Sequence, residues 1–407
     1  MKIYLVGGAV RDQLLKLPIK DRDWVVVGAT KKELLKKNFQ QVGKDFPVFL
    51  HPETHEEYAL ARKERKLGKG YSGFYTNFSS NITLEEDLIR RDLTINAIAQ
   101  DEFGNYIDPY QGKKDLENCL LRHISDAFIE DPLRVLRTAR FAAQLMHLGF
   151  RIANETILLM RKIVKSKELL YLTINRIWIE TEKAFKTRNP HVYFQVLYDC
   201  KALHLIFPEI HFLYQKELLF PNVLNKLNNF FLSIGLSKIS MLTEDISIRF
   251  SFLFQFFSLH VNYMSGKKFY DEISASIVKN FCNRFNIPIY VKEIAILSVG
   301  FYKFLNLIQY QSSEDIINFF CKIDAWRKPE RVKKFSFLSN FNFLNNQGNN
   351  ILNIDNTPGF FLETSFHITK NISIKLILQK GFKGKEIKNE LNRLRVKKLN
   401  LWRINKF

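Results

Sequence analysis

The chain has 407 residues, 46% hydrophobic and 14% aromatic, enough for more than one domain and a large core. Lys and Arg outnumber Asp and Glu by 61 to 41, a net charge of +20, which favours a polyanionic partner such as nucleic acid over a merely basic surface. No apolar run of about 18 residues occurs, so no membrane span is expected, and the opening stretch IYLVGGAV is too short for a secretory signal core.

In chain order, KIYLV predicts a strand, Gly7-Gly8 a tight turn and AVRDQLLK a helix. Free backbone N–H groups at such a turn form an anion site, although an ordinary pair of turn glycines reads the same way. G-x-G-x-x-G is absent, which excludes a dinucleotide fingerprint. The next strand, DWVVVG, follows Asp21 and carries Asp23. Period-2 spacing on a strand puts both carboxylates on one face, with Cα atoms about 6.5 Å apart. Like charges that close repel unless a divalent cation lies between them, and one or two Mg²⁺ ions would serve phosphoryl chemistry. The alternative is a pair of solvated turn aspartates. HEEYALAR predicts a third strand, with Glu57 either a third carboxylate or a surface residue. ARKERKLGKGYSGF, residues 61–74, reads as a basic flexible loop or a solvated hairpin tip.

RRDLTINAIA, residues 90–99, places Arg90, Arg91 and Asp92 before an apolar run that reads as helical. The planar guanidinium fork suits phosphate. From about residue 113 helical periodicity dominates. EDPLRVLRTARF starts a helix at Pro132 and sets Arg134, Arg137 and Arg140 at successive i+3 positions, with Asp131 in reach of Arg134. This stripe is either a nucleotide or RNA contact or a solvated basic face. The Asn- and Phe-rich stretches 222–231 and 337–356, with the 37 phenylalanines, look like compositional drift, and the second reads as a loop or linker. Residues 380–407 read as a basic helical tail. Cys119, Cys200, Cys282 and Cys321 are far apart without Cys-x-x-Cys, so reduced, buried thiols in a cytoplasmic protein are expected.

Together LVGGAVRD, DRDWVVVGAT, GKDFPVFLHPETHEEYALAR, RRDLTINAIA and EDPLRVLRTARFAA closely resemble the bacterial class II CCA-adding enzymes, tRNA nucleotidyltransferases of the DNA polymerase β-type superfamily. The resemblance is dense to about Glu209, through LTINRIWIETEKAF and LIFPEI, and returns at IDAWRKPERV and GFKGKEIKNEL. It implies an α+β protein: a nucleotidyltransferase head with a small mixed sheet (1–112), then a helical neck (113–215), body (216–310) and basic tail (311–407). It implies addition of CCA to tRNA from CTP and ATP. Asp21 and Asp23 would bind Mg²⁺. Gly8, Arg11, Arg91, Arg137 and Arg140 would contact the nucleotide, and Asp131 and Arg134 would read its base. A poly(A) polymerase of the same superfamily shares the head motifs, and a non-catalytic RNA-binding protein is the reading from another class. One departure stands out. Where relatives carry a metal-binding His-Asp pair in the body, this chain has Gln255-Phe256, and His260 has no adjacent Asp. Loss of phosphohydrolase activity is therefore expected.

Overall fold

The computed structural model describes residues 1–42, 48–66, 68, 74–219, 232–261, 270–347 and 357–406. The fold is α+β, with two compact units, Met1–His211 and Phe212–Phe407. The first unit ends at His211, four residues short of the end expected for the neck.

The first unit opens with β1 (Lys2–Val6), α1 (Gly8–Leu14), β2 (Asp23–Val27), α2 (Lys31–Lys36), β3 (Gln40–Val42), β4 (Val48–Leu50) and β5 (Glu57–Leu60). There follow β6 (Lys63–Lys66), β7 (Phe74–Asn77), α3 (Leu84–Leu88), β8 (Ala99–Gln100) and β9 (Tyr106–Ile107). The main sheet runs β3-β4-β5-β2-β1-β8-β9, and only β2 and β5 pair in parallel. Both faces are covered. Val6 and Val25 pack under Leu84 and Leu88 of α3, while Val26 and Leu60 pack with Leu34 and Phe49 on the other side. Capping boxes begin α2 (Thr30 with Glu33) and α3 (Thr83 with Glu86), so sequence chemistry sets both helix starts. β6 and β7 are the arms of a hairpin, as the basic 61–74 segment allowed; residues 67 and 69–73 lie outside the described residues.

The helical part of this unit contains α4 (Gly112–Glu117), α5 (Leu133–Leu145), α6 (Asn154–Lys165), α7 (Ile174–Phe185), α8 (Pro190–Asp199) and α9 (Leu203–Ile206). A short parallel pair, Leu120–Leu121 with Arg151–Ile152, interrupts the expected helical run. The α5 face Val135, Leu136, Ala139 and Ala143 is fully buried.

The second unit is helical among the described residues, from Leu232–Leu242 to the long terminal helix Lys385–Lys406. Its phenylalanines are not idle drift: Phe250, Phe252, Phe254, Phe281 and Phe301 are fully buried and pack edge to face or tilted against one another and their neighbours. The linker expected at 337–356 is corrected through residue 347. Helix Glu330–Gln347 covers that part, because Val332, Phe335, Leu338 and Phe341 recur every third residue and are buried. Residues 348–356, and the earlier Asn-rich stretch 222–231, lie outside the described residues. Among the cysteines, Cys200 and Cys282 are buried as expected, but Cys119 and Cys321 are partly exposed; all four are free thiols. No described helix is long and apolar enough to cross a membrane.

Candidate nucleotide site

β1 ends at Val6, opposite Asp23 at the start of β2, and Asp23 in turn lies level with Glu57 at the start of β5. The turn after β1 is built on Gly7, whose φ of +74° is the left-handed region that glycine enters without strain. A Cβ on Gly7 would sit 3.2 Å from Arg91 Nη1 and 3.9 Å from Asp23 Oδ2. The turn, one carboxylate and one guanidinium thus meet at one point. A Cβ on Gly8 would meet Arg11 Nη2 at 3.6 Å.

Asp21 is not on the strand, as the spacing argument assumed; β2 begins at Asp23. Arg22 and Trp24 both reach Glu56, Trp24 Nε1 donating to Oε2 at 2.9 Å and Arg22 Nη1 at 3.4 Å from Oε1. Those two residues share the Glu56 carboxylate, while Asp23 takes the next position of the strand. Asp21, Asp23 and Glu57 are exposed, and no side-chain hydrogen bond or ion pair engages Asp21 or Asp23 among the described residues. Two open, unneutralised carboxylates are a hard-oxygen donor pair of the kind that Mg²⁺ takes while keeping waters and substrate oxygens as its other ligands. No group of three or more His, Cys, Asp or Glu side chains gathers for a metal among the described residues.

The helix expected over 90–99 is corrected. α3 stops at Leu88, Thr94–Asn96 is a 3-10 turn, and Ala99–Gln100 is a strand. Side-chain bonding overrides the apolar pattern. Buried Asp92 accepts from Leu93 N and Asn96 Nδ2, both at 2.9 Å, and from Arg137 Nε at 2.7 Å. Asn96 Oδ1 then accepts from Arg11 Nη1 at 2.9 Å. Arg140 Nε donates to Glu180 Oε2 at 2.5 Å, and Arg137 Nη1 lies 3.9 Å from Glu180 Oε1. Arg11, Arg137 and Arg140 all approach the Phe141 ring, at 5.0, 5.7 and 4.0 Å from its centre. One network therefore runs from the glycine-turn helix through the 3-10 turn to α5 and α7.

Charge follows geometry here. Burial works against the Asp92 carboxylate, but Arg137, Asn96 and Arg134 outweigh it and hold its carboxyl well below the usual range. Asp92 correspondingly pushes Arg137 up. Burial lowers Arg134 and Arg140, the latter against the pull of Glu180.

The arginine stripe of α5 is not a solvated face. Arg137 and Arg140 share Glu180 and the Phe141 ring, while Arg134 turns to backbone carbonyls. Arg134 is 8% exposed; its Nη1 donates to Ala127 O at 2.8 Å and its Nη2 to Arg90 O. The Asp131–Arg134 side-chain contact expected from the sequence is not formed. Asp131 Oδ1 accepts from Leu133 N at 3.0 Å, and its Oδ2 pairs with Arg176 Nη2 at 3.1 Å, while Arg134 reaches Asp131 only through its backbone N–H. Arg91 donates to Asp87 at 3.3 Å, and its buried Nε has no partner among the described residues. Arg90 is held by Asp87 and Glu64. Sequence reasoning missed Arg176, Glu180 and Asn96 as site residues. The spacing of Arg176 and Glu180 on α7, one turn apart, was the available signal.

At Gln255, in helix Ile246–Val261, the side chain is buried and accepts from Asn342 Nδ2 at 3.1 Å. An amide pair occupies that position. The side chains of Phe256 and His260 lie outside the described residues.

Residues 3–122 match the family described as Poly A polymerase head domain, and residues 149–213 match one described as a probable RNA and SrmB-binding site of polymerase A. A CCA-adding enzyme from Buchnera aphidicola subsp. Acyrthosiphon pisum (strain Tuc7) is 65% identical across 99% of this chain and 98% of its own length. One from Buchnera aphidicola subsp. Schizaphis graminum (strain Sg) is 66% identical across 100% and 98%. Among solved structures, a CCA-adding enzyme in apo form II aligns with a TM-score of 0.63 at 21% identity, covering 98% of this chain and 88% of that one. A CCA-adding enzyme with CTP aligns at 0.59 and 23%, covering 98% and 87%.

Proposed function

The chain belongs to the CCA-adding enzyme family, and from that premise we propose how its residues carry out the reaction. The activity is template-independent addition of C, C and A to the 3′ end of tRNA from CTP and ATP, with release of pyrophosphate. The head family alone is shared with poly(A) polymerases, so it is the identity along the whole chain that separates the two.

The observation that carries the residue-level reading is the meeting of Asp23 and Arg91 at the Gly7 turn, with Arg11 one helical turn on. Nucleotidyltransferases of this family use a divalent metal, and we take it to be Mg²⁺, held by Asp21 and Asp23. When bound, it would activate the RNA 3′-hydroxyl and neutralise charge on the departing pyrophosphate. Gly8 has no side chain to keep a phosphate from the backbone. Arg11 and Arg91 donate to triphosphate oxygens, and their planar forks fix its orientation. Arg137 and Arg140 complete the cationic wall, held in place by Asp92 and Glu180. Asp131 accepts from the amino group of cytosine or adenine and Arg134 donates to the ring nitrogen beside it; uracil and guanine present the reverse pattern. That role requires Asp131 to leave Arg176 and Arg134 to leave the Arg90 carbonyl when a nucleotide enters.

We assign residues 1–112 as catalytic head, 113–215 as neck, 216–310 as a body without phosphohydrolase activity and 311–407 as a tRNA-binding tail. The cytoplasm, which holds tRNA, CTP and ATP, is the proposed location.

The test is incubation with tRNA lacking its 3′ end and the four nucleotides singly and together. CTP with ATP should complete CCA, and UTP and GTP should not be incorporated. A long A tract from ATP alone would mean a poly(A) polymerase, and no incorporation would mean a non-catalytic binder.

A further inference from the structure

The 3-10 turn Thr94–Asn96 ends in a buried amide that stands between two of the arginines assigned to the nucleotide. Asn96 Oδ1 accepts from Arg11 Nη1 at 2.9 Å, and Asn96 Nδ2 donates to Asp92 Oδ1 at 2.9 Å. The other Asp92 oxygen accepts from Arg137 Nε at 2.7 Å. Arg11 can only donate and an ionised Asp92 can only accept, so one amide orientation satisfies both neighbours. Among side chains of this size, only Asn offers an acceptor at one end and a donor at the other. Asp has no donor, and Leu has neither.

The backbone under this amide is fixed from behind. Thr94 Oγ1 donates to the buried carboxylate of Asp115 at 2.7 Å. Helix α4 begins at Gly112, where a Cβ would collide with the Thr94 carbonyl oxygen. Asn96 N donates to Leu93 O at 2.9 Å. A side chain on so fixed a base can aim what it binds. Arg11 is 3% exposed, so its bonded partners set its direction. Asp12 takes Nε at 2.8 Å and Nη2 at 2.7 Å, and Asn96 takes Nη1. Each terminal nitrogen carries a second N–H, and Nη2 is the one beside Gly8. Arg137 gives its Nε to Asp92 while its side chain stays 37% exposed.

We propose that Asn96 is a positioning residue that sets the Arg11 and Arg137 guanidiniums in register for one triphosphate. It acts on Arg11 directly and on Arg137 through Asp92, and touches no substrate itself. The inference rests on the reading of both arginines as triphosphate ligands. Asn96→Ala removes both contacts. Asn96→Asp keeps the acceptor for Arg11 but sets a carboxylate against that of Asp92, and like charges so close repel. Combining Asn96→Asp with Asp92→Asn restores the order of donors and acceptors with the two residues exchanged: the new amide at position 92 donates to position 96, and its oxygen accepts from Arg137.

The full-length enzyme is assayed in Mg²⁺ with tRNA lacking its 3′ end. KM for CTP is measured with the inhibition constants of inorganic triphosphate, which carries the phosphate chain alone, and of cytidine, which carries the base and sugar alone. Urea midpoints show that each variant is folded. Asn96→Ala and Asn96→Asp should weaken CTP and inorganic triphosphate by about tenfold or more, the worth of a hydrogen bond to a charged group. Cytidine inhibition and the KM for tRNA should stay within about twofold, and the exchanged double variant should recover most of the loss in CTP binding. A merely structural role would lower the amount of active enzyme, and so kcat, and leave the triphosphate and cytidine constants in their wild-type ratio. Wild-type CTP binding in both single variants, cytidine weakened as much as triphosphate, or no recovery in the double variant would overturn the proposal. Arg11→Gln separates it from the reading beneath it. If Arg11→Gln weakens CTP and the Asn96 variants do not, only the positioning role falls. If Arg11→Gln leaves CTP binding unchanged, the triphosphate reading of Arg11 fails and takes this inference with it.

Discussion

Arg137 donates from Nε to Asp92 Oδ2 at 2.7 Å, joining helix α5 to the turn that follows Arg90 and Arg91. Asp92 is 4% exposed, so removing its charge leaves Arg137 facing an uncompensated site. Arg137 keeps 37% of its side chain exposed, so Asp92→Asn should cost about 1–3 kcal/mol, read as a fall in the urea midpoint at pH 7. Because Arg137 holds the folded-state pKa of Asp92 below its unfolded value of about 3.9, the pair stabilises fully above that value and its contribution fades as pH falls further. The wild type should therefore lose more stability than the Asn variant between pH 5 and pH 3. Parallel pH profiles would separate the pair from acid stability.

Asp23→Asn and Asp21→Asn should lower incorporation by on the order of 10³-fold or more, because each removes one oxygen donor for the metal that the reaction uses. Both carboxylates are exposed, so stability should stay within about 0.5 kcal/mol of wild type. Turnover near the wild-type value in Mg²⁺ would remove the pair from the metal site.

Asp131→Ala and Arg134→Ala should relax discrimination against UTP and GTP more than they slow transfer, measured as kcat/KM for all four nucleotides. Their stabilities should differ. Asp131→Ala loses a cap on α5 and the bond to Arg176, about 1 kcal/mol. Arg134→Ala abandons the carbonyls of Ala127 and Arg90, about 1–3 kcal/mol for each left unsatisfied. Unchanged selectivity in both variants would return the pair to a structural role.

The net charge of +20 should make tRNA affinity strongly salt-dependent, falling by about tenfold or more between 50 and 200 mM salt through counterion release. Replacing Lys397 and Lys398 of the terminal helix with Gln should reduce the slope of log K against log salt by about one for each phosphate no longer neutralised. A flat wild-type plot would make the charge excess compositional only.

Gln255, at the position where the family resemblance leads one to expect a metal-binding His-Asp pair, instead accepts from Asn342. Neither side chain offers the imidazole or carboxylate that such a metal takes. Chelator-sensitive hydrolysis of 2′,3′-cyclic phosphates should be absent, and hydrolysis restored by Ni²⁺ or Co²⁺ would locate a metal elsewhere in the protein.

By itself the sequence determined what depends on neighbours along the chain. The strands KIYLV and DWVVV, the glycine turn and the helix carrying Arg134, Arg137 and Arg140 all follow from short-range period, φ preference and residue chemistry. Only the tertiary structure decided which partner each charge would take. Residues 90–99 lose their helical pattern because Asp92 is bound by Arg137, 45 residues away. Asp131 reaches Arg176 rather than Arg134, across the same separation, because α7 brings a guanidinium to the start of α5 while buried backbone carbonyls claim Arg134. A long side chain in a crowded interior goes to the best acceptor that folding brings within reach, and sequence spacing carries no record of distances between elements.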